Sequence, residues 1–170
     1  MASHNSSLES AELRPMLICD VALAAALIGR AMNEEEQGYA EKVFQEHFES
    51  RRLGLDDGRS LFVLTVGDAL IGITGLHRYA WGPPENVWLS WFAVDPEYQG
   101  RGFGKLLLRR AIDAARSRGF RKMFIETYSS PTFDKARRFY TAQGFNEVGG
   151  VRNYLPDGAD MVVYGSALRS

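Results

Sequence analysis

The chain has 170 residues, 45% of them hydrophobic and 12% aromatic, with a formal net charge of -1. That is enough apolar material for one substantial core, and the balanced charge excludes the global basic field on which nucleic-acid or anionic-membrane binding draws. No apolar stretch approaches the length of a membrane span. The polar opening Met1-Ala2-Ser3-His4-Asn5-Ser6-Ser7 lacks the charged start and apolar centre of a signal peptide. A single cysteine, Cys19, supports neither a disulfide framework nor a metal cluster. These features predict a cytoplasmic protein without metal, nucleic-acid or membrane partners.

Residues 1–12 read as a flexible tail, because nothing there has periodic apolar content, and 13–168 as a single domain. Leu13–Ile18 is the expected first strand, and Val21–Ala31 a small-residue, mostly apolar helix. Asn33, with Glu36 three positions on, has the form of a capping box and opens a second helix towards Arg51. Tyr39, Val43 and Phe48 are its expected buried stripe. After the turn Asp56-Asp57-Gly58, Ser60–Val66 and Leu70–Leu76 form a hairpin around Gly67-Asp68. Gly82-Pro83-Pro84 breaks the chain before the apolar strand Trp88-Leu89-Ser90-Trp91-Phe92-Ala93-Val94. A glycine-rich loop follows, then a helix facing inward with Phe103, Leu106, Leu107, Ala111 and Ala114 and capped by Gly119. Lys122–Tyr128 is a strand, and Ser130 and Pro131 start a helix that buries Phe133, Ala136 and Tyr140 and ends at Gly144. Phe145–Val151 and Met161–Ala167 close the chain as a hairpin around Pro156-Asp157-Gly158. This order predicts an α/β sheet with helices on both faces.

The loop Gln99-Gly100-Arg101-Gly102-Phe103-Gly104-Lys105 carries the strongest functional signal. Glycines let backbone curl close to a bulky anion, and a helix start offers unpaired N–H groups and the positive end of its dipole. Arg101 and Lys105 add charge at the rim. The spacing excludes a P-loop, since Gln99 stands where its first glycine belongs and Leu106 follows the lysine. It also excludes the dinucleotide fingerprint G-x-G-x-x-G, whose last glycine falls on Lys105 or Leu107.

What remains, Gln-x-x-Gly-x-Gly after a strand ending Ala-Val-Asp-Pro, resembles the pyrophosphate loop of the GCN5-related N-acetyltransferase (GNAT) superfamily, which holds acetyl-coenzyme A. Ala136-Arg137-Arg138-Phe139-Tyr140-Thr141-Ala142-Gln143-Gly144-Phe145 resembles the superfamily's A-x-x-x-Tyr-x-x-x-Gly-Phe segment. The likeness covers Trp88 to Ala167 at motif level and the amino-terminal half only in element order. It implies a mixed central sheet splayed between strands 4 and 5. It also implies an acetyl-CoA-dependent N-acetyltransferase acting on a small-molecule amine or a peptide amino terminus. Family members often pair, which implies a homodimer. One departure is clear: many members carry an asparagine three residues before the motif alanine, where this chain has Phe133.

The resemblance also implies site residues. Backbone of Phe92, Ala93 and Val94 holds the pantetheine arm, and an N–H among them polarises the thioester carbonyl, a kind of donor worth ~3 kcal/mol in the barrier. Gln99, Gly100, Arg101, Gly102, Phe103, Gly104 and Lys105 hold the pyrophosphate. Tyr140 matches the tyrosine that protonates the departing sulfur, with core packing as its competing role. Glu126 resembles the strand glutamate that some amino-terminal acetyltransferases use as base. It shares a sheet face with Phe124 and Tyr128; a surface pairing with Arg121 or another cation is the plainer alternative, and a base acting through water, or none with an amine arriving neutral, stays open. Other members place the base on the preceding strand, where this chain has Trp88. Glu34-Glu35-Glu36 reads as dipole-compatible surface, and His47 and His77 lack metal-ligand spacing. The other function class left in view is a CoA-binding regulatory or interaction module without turnover.

Overall fold

A computed structural model of the chain describes residues 8–168. Seven strands form one sheet in the order β1-β2-β3-β4-β5-β7-β6. The chain divides into two units: one takes the residues up to His77 together with Ser90–Ala111, the other takes Arg78–Leu89 and the described residues from Ile112 onward. Of the expected amino-terminal tail, residues 1–7 lie outside the described part.

In the first unit, β1 (Ala11–Pro15), β2 (Arg59–Val66) and β3 (Ala69–His77) are antiparallel neighbours. β2 and β3 turn at Gly67, whose φ of +56° suits the tight connection. The first strand thus begins and ends earlier than Leu13–Ile18. The chain leaves it at Pro15, and Ile18–Asp20 becomes a 3-10 turn. Asp20 fixes that turn by accepting from Arg14 at 2.7 and 2.9 Å and from the Leu17 N–H at 2.7 Å. The hydrogen bond from Arg14 holds the Asp20 carboxyl below its ordinary range.

Helix α1 (Val21–Ala31) follows, then α2 (Glu34–Arg52), whose first turn is capped by Asn33 accepting from the Glu36 N–H at 2.8 Å. The buried stripe of α2 is not Tyr39, Val43 and Phe48. It is Ala40, Phe44 and His47, spaced i, i+4, i+7, with Val43 and Phe48 half-buried beside it and Tyr39 exposed. His47 is tolerated inside because its Nδ1 lies 2.9 Å from Asp57. Alternation along the hairpin sends Val63 and Ile73 into one cluster with Leu27, Ile28 and Phe44. Leu64 and Ile71 go into another with Val94, Phe103 and Leu107. Helices therefore cover both faces of this part of the sheet, as expected from element order.

Two strands run on either side of β5 (Lys122–Tyr128) in the second unit. Asn86–Leu89, the start of β4 (Asn86–Val94), pairs with it in parallel as far as Leu89 with Ile125. β7 (Met161–Ala167) pairs with it antiparallel along its whole length. β6 (Asn146–Val151) is the outermost strand, exposed throughout, and its register shifts between Glu147 and Gly149 so that Val148 is an extra residue. Helix α3 (Phe103–Ser117) ends before Gly119 at φ +81°, and α4 (Asp134–Ala142) ends before Gly144 at φ +86°.

The splay between strands 4 and 5 has a visible cause. Parallel pairing stops at Leu89 although both strands continue. Two residues on, Trp91 takes φ +48°, a left-handed backbone that costs a side-chain-bearing residue about 1–2 kcal/mol. Its indole repays part of that by meeting Phe44 edge-on at 5.8 Å.

Candidate active site

The glycine loop is anchored by hydrogen bonds at the end of β4 and in the turn after it. Beyond Phe92, Ala93 and Val94, the Asp95 N–H donates to Ile71 O at 2.9 Å. Its carboxylate caps the 3-10 turn Pro96–Tyr98 through the Glu97 N–H at 3.1 Å and receives Arg30 at 2.6 and 3.1 Å. The Gln99 side-chain amide donates to Val94 O at 2.9 Å, tying the loop back to the strand end. Asp95 and Arg30 are the site-shaping residues that sequence reasoning missed. An aspartate before proline carries a cap signal, but nothing local points from it to an arginine 65 positions away.

Past this anchor, Gly100 and Gly102 adopt φ +73° and +88°. A side chain there would be strained, and a Cβ on Gly100 would meet nothing within 4 Å, so the backbone borders open space. Leu106 N–H donates to Gly102 O at 3.1 Å, the first bond of α3, which leaves the N–H groups of Phe103, Gly104 and Lys105 in the helix's opening turn. Phe103 is buried and meets Tyr98 edge-on at 5.7 Å, fixing the helix start. Arg101 and Lys105 are exposed, with the Arg101 guanidinium 5.7 Å from the Tyr98 ring centre. Open backbone amides, a helix dipole and two cations form a donor set suited to a pyrophosphate-sized anion.

Tyr140 and Glu126 belong to the second unit. Tyr140 is 7% exposed, among Phe139 at 5.5 Å and Phe145 and Tyr164 at 6.4 Å. Burial pushes its phenol well above the usual tyrosine range, so it stays protonated at neutral pH. Glu126 is exposed on β5 and accepts from the Tyr128 hydroxyl at 2.8 Å. Arg121, its suggested surface partner, instead lies 3.8 Å from Glu85. Tyr164 is the register partner of Ile125, so Tyr140 packs on the strand face opposite the one that carries Glu126. Among the described residues no group of three or more His, Cys, Asp or Glu side chains could hold a metal ion. Nor is any helix among them long and apolar enough to cross a membrane.

A mixed seven-stranded sheet, parted after a short parallel β4–β5 junction and followed by a glycine loop at a helix start, defines an acetyltransferase-type fold. Residues 27–145 match the Acetyltransferase (GNAT) family, and the chain belongs to it. It is 38% identical over 95 residues to the N-alpha-acetyltransferase RimI of Mycobacterium tuberculosis, a stretch covering 55% of this chain and 57% of that protein. It is 42% identical over 64 residues to the [ribosomal protein bS18]-alanine N-acetyltransferase of Haemophilus influenzae, covering 38% of this chain and 42% of that one. The match thus spans little more than half the length of these curated relatives at most. A GNAT-family structure from Desulfovibrio desulfuricans superposes with a TM-score of 0.84 at 23% identity, covering 94% of this chain and 99% of the other.

Proposed function

We propose that this protein transfers the acetyl group of acetyl-CoA to a primary amine by direct attack. The observation that carries the reading is the loop itself: two left-handed glycines, the first beside open space, leading into a helix start flanked by Arg101 and Lys105. Backbone amides of Gly100 to Lys105 and the two cations hold the pyrophosphate. Backbone of Phe92 to Val94 lies along the pantetheine, and one N–H there takes the developing negative charge of the carbonyl oxygen. Acetyl-CoA supplies the thioester.

Glu126, directly or through one water, accepts the proton that the attacking ammonium must lose. The nitrogen lone pair forms the new bond to the acetyl carbon, the carbon–sulfur bond breaks, and Tyr140 O–H gives its proton to the departing thiolate. The second proton that nitrogen sheds on becoming an amide passes through water to the tyrosinate and restores Tyr140. Both curated relatives above are named as acetyltransferases, one an N-alpha-acetyltransferase and the other specific for a ribosomal-protein alanine. Their names support a peptide amino terminus as acceptor over a free small-molecule amine.

Burial of Tyr140 is the one observation on the side of a CoA-binding module without turnover. Release of free thiol from acetyl-CoA, followed across peptides and small amines, separates the readings. Turnover with any amine establishes the enzyme; tight acetyl-CoA binding with no thiol release from the whole panel establishes the module.

A further inference from the structure

The face of β5 that carries Glu126 has an uneven chemistry. Phe124, Glu126 and Tyr128 stand on it in succession, about 7 Å apart. Both aromatic neighbours continue into further rings. Phe124 lies 5.2 Å from Trp88, Trp88 meets Tyr79 edge-on at 5.8 Å, and Tyr79 stacks on Trp81 at 5.1 Å. On the other side Tyr128 stacks on Tyr154 at 6.2 Å. Trp81 is 77% exposed and Tyr154 51% exposed, so both ladders end in water. The cross-strand partner of Glu126 is Val163, and that of Phe124 is Gly165. A Cβ on Gly165 would come within 3.3 Å of the Phe124 ring, so the glycine keeps room for it.

We infer that this face seats the acceptor, and that the acceptor is a cationic amine whose ammonium adjoins an aromatic or large apolar group. The inference rests on the reading of Glu126 as the base on the acceptor side. An ammonium at the carboxylate is attracted by it, between the Phe124 and Tyr128 rings that flank it along the strand. The adjoining apolar group covers exposed ring surface that otherwise faces water. An acceptor with a carboxylate near its amine is repelled by Glu126. A polyamine's distal ammonium gains nothing here, because Lys122 is the next charged residue along the same strand face.

Binding and turnover test this separately. With coenzyme A in place of acetyl-CoA, so that no transfer occurs, calorimetry should find 2-phenylethylamine bound about tenfold or more tighter than ethylamine or 3-phenylpropionate. Thiol release should favour peptides beginning with Phe over those beginning with Asp by about tenfold in kcat/KM. Tyr154→Ala, an exposed loop position whose ring stacks on Tyr128 beside the carboxylate, should shrink the aromatic preference several-fold with an unchanged circular dichroism spectrum. Glu126→Gln should remove the discrimination against 3-phenylpropionate. Turnover without an aromatic preference, or a preference untouched by Tyr154→Ala, overturns the inference and leaves acetyl transfer standing. The binding preference without thiol release from any amine overturns acetyl transfer and leaves the docking face standing. Absence of both overturns both.

Discussion

Tyr140 carries the last proton step of the proposed reaction, and its surroundings make a clean test possible. Its ring contacts with Phe139, Phe145 and Tyr164 are made by carbon, which phenylalanine keeps. Tyr140→Phe keeps these ring contacts and should bind acetyl-CoA with unchanged affinity. Its turnover should fall by ~10²-fold or more, read as thiol release. A full rate would return the residue to packing alone. Glu126 lends itself to a different measurement. Without a base the enzyme depends on amine that is already neutral, and that fraction grows with pH. Glu126→Gln should accordingly lose most rate at low pH and recover part of it as pH rises. A pH–rate profile parallel to wild type would move the base elsewhere, with an ordered water the first suspect.

At the scale of the elements, the 3-10 turn before α1 depends on one carboxylate. Asp20 accepts from Arg14 and from the Leu17 N–H, and its pKa is lowered on folding. A group with a depressed folded value stabilises fully above its unfolded value, near pH 3.8, and that contribution fades as pH falls through the folded value. Asp20→Asn should cost about 1–2 kcal/mol at pH 7, reduced by the partial exposure of Arg14, and urea melts should show the difference narrowing below that pH. Much of this level was legible in the residues. Asn33, Gly67, Gly119 and Gly144 punctuate the chain where caps and turns fall, because each satisfies a local backbone demand. The buried stripe of α2 was less legible, since Val43 and Phe48 look more apolar than Ala40 and His47. Only the neighbouring Asp57 makes His47 acceptable inside. The left-handed Trp91 was not legible at all. No local preference puts a tryptophan there, and its indole's contact with Phe44 appears only in the folded chain. In the candidate site, Gly100 and Gly102 could be read because glycine alone fits their backbone. The Arg30 brace on Asp95 could not, because long-range pairing leaves no periodic trace.

For the whole molecule, ligand binding and stability are linked. Acetyl-CoA at about 100 times its dissociation constant should stabilise the native state by ~2.7 kcal/mol, which for a chain of this size raises the melting temperature by roughly 5–10 °C. Gly102→Glu sets a bulky anion on a left-handed backbone at the proposed pyrophosphate loop. A scanning-fluorimetry series should show that shift abolished in a variant that still melts cooperatively; a preserved shift would reduce the loop to a turn. The outermost strand has a consequence of another kind. β6 presents an open row of backbone donors and acceptors to water, which is a template for edge-to-edge stacking between copies. Its extra residue at Val148 throws a neighbouring chain out of step, and Gly149-Gly150 removes side chains that a growing stack would interlock. At high concentration, then, the sheet ends in an edge that offers hydrogen bonds but no repeatable register, and that irregularity guards against filament growth.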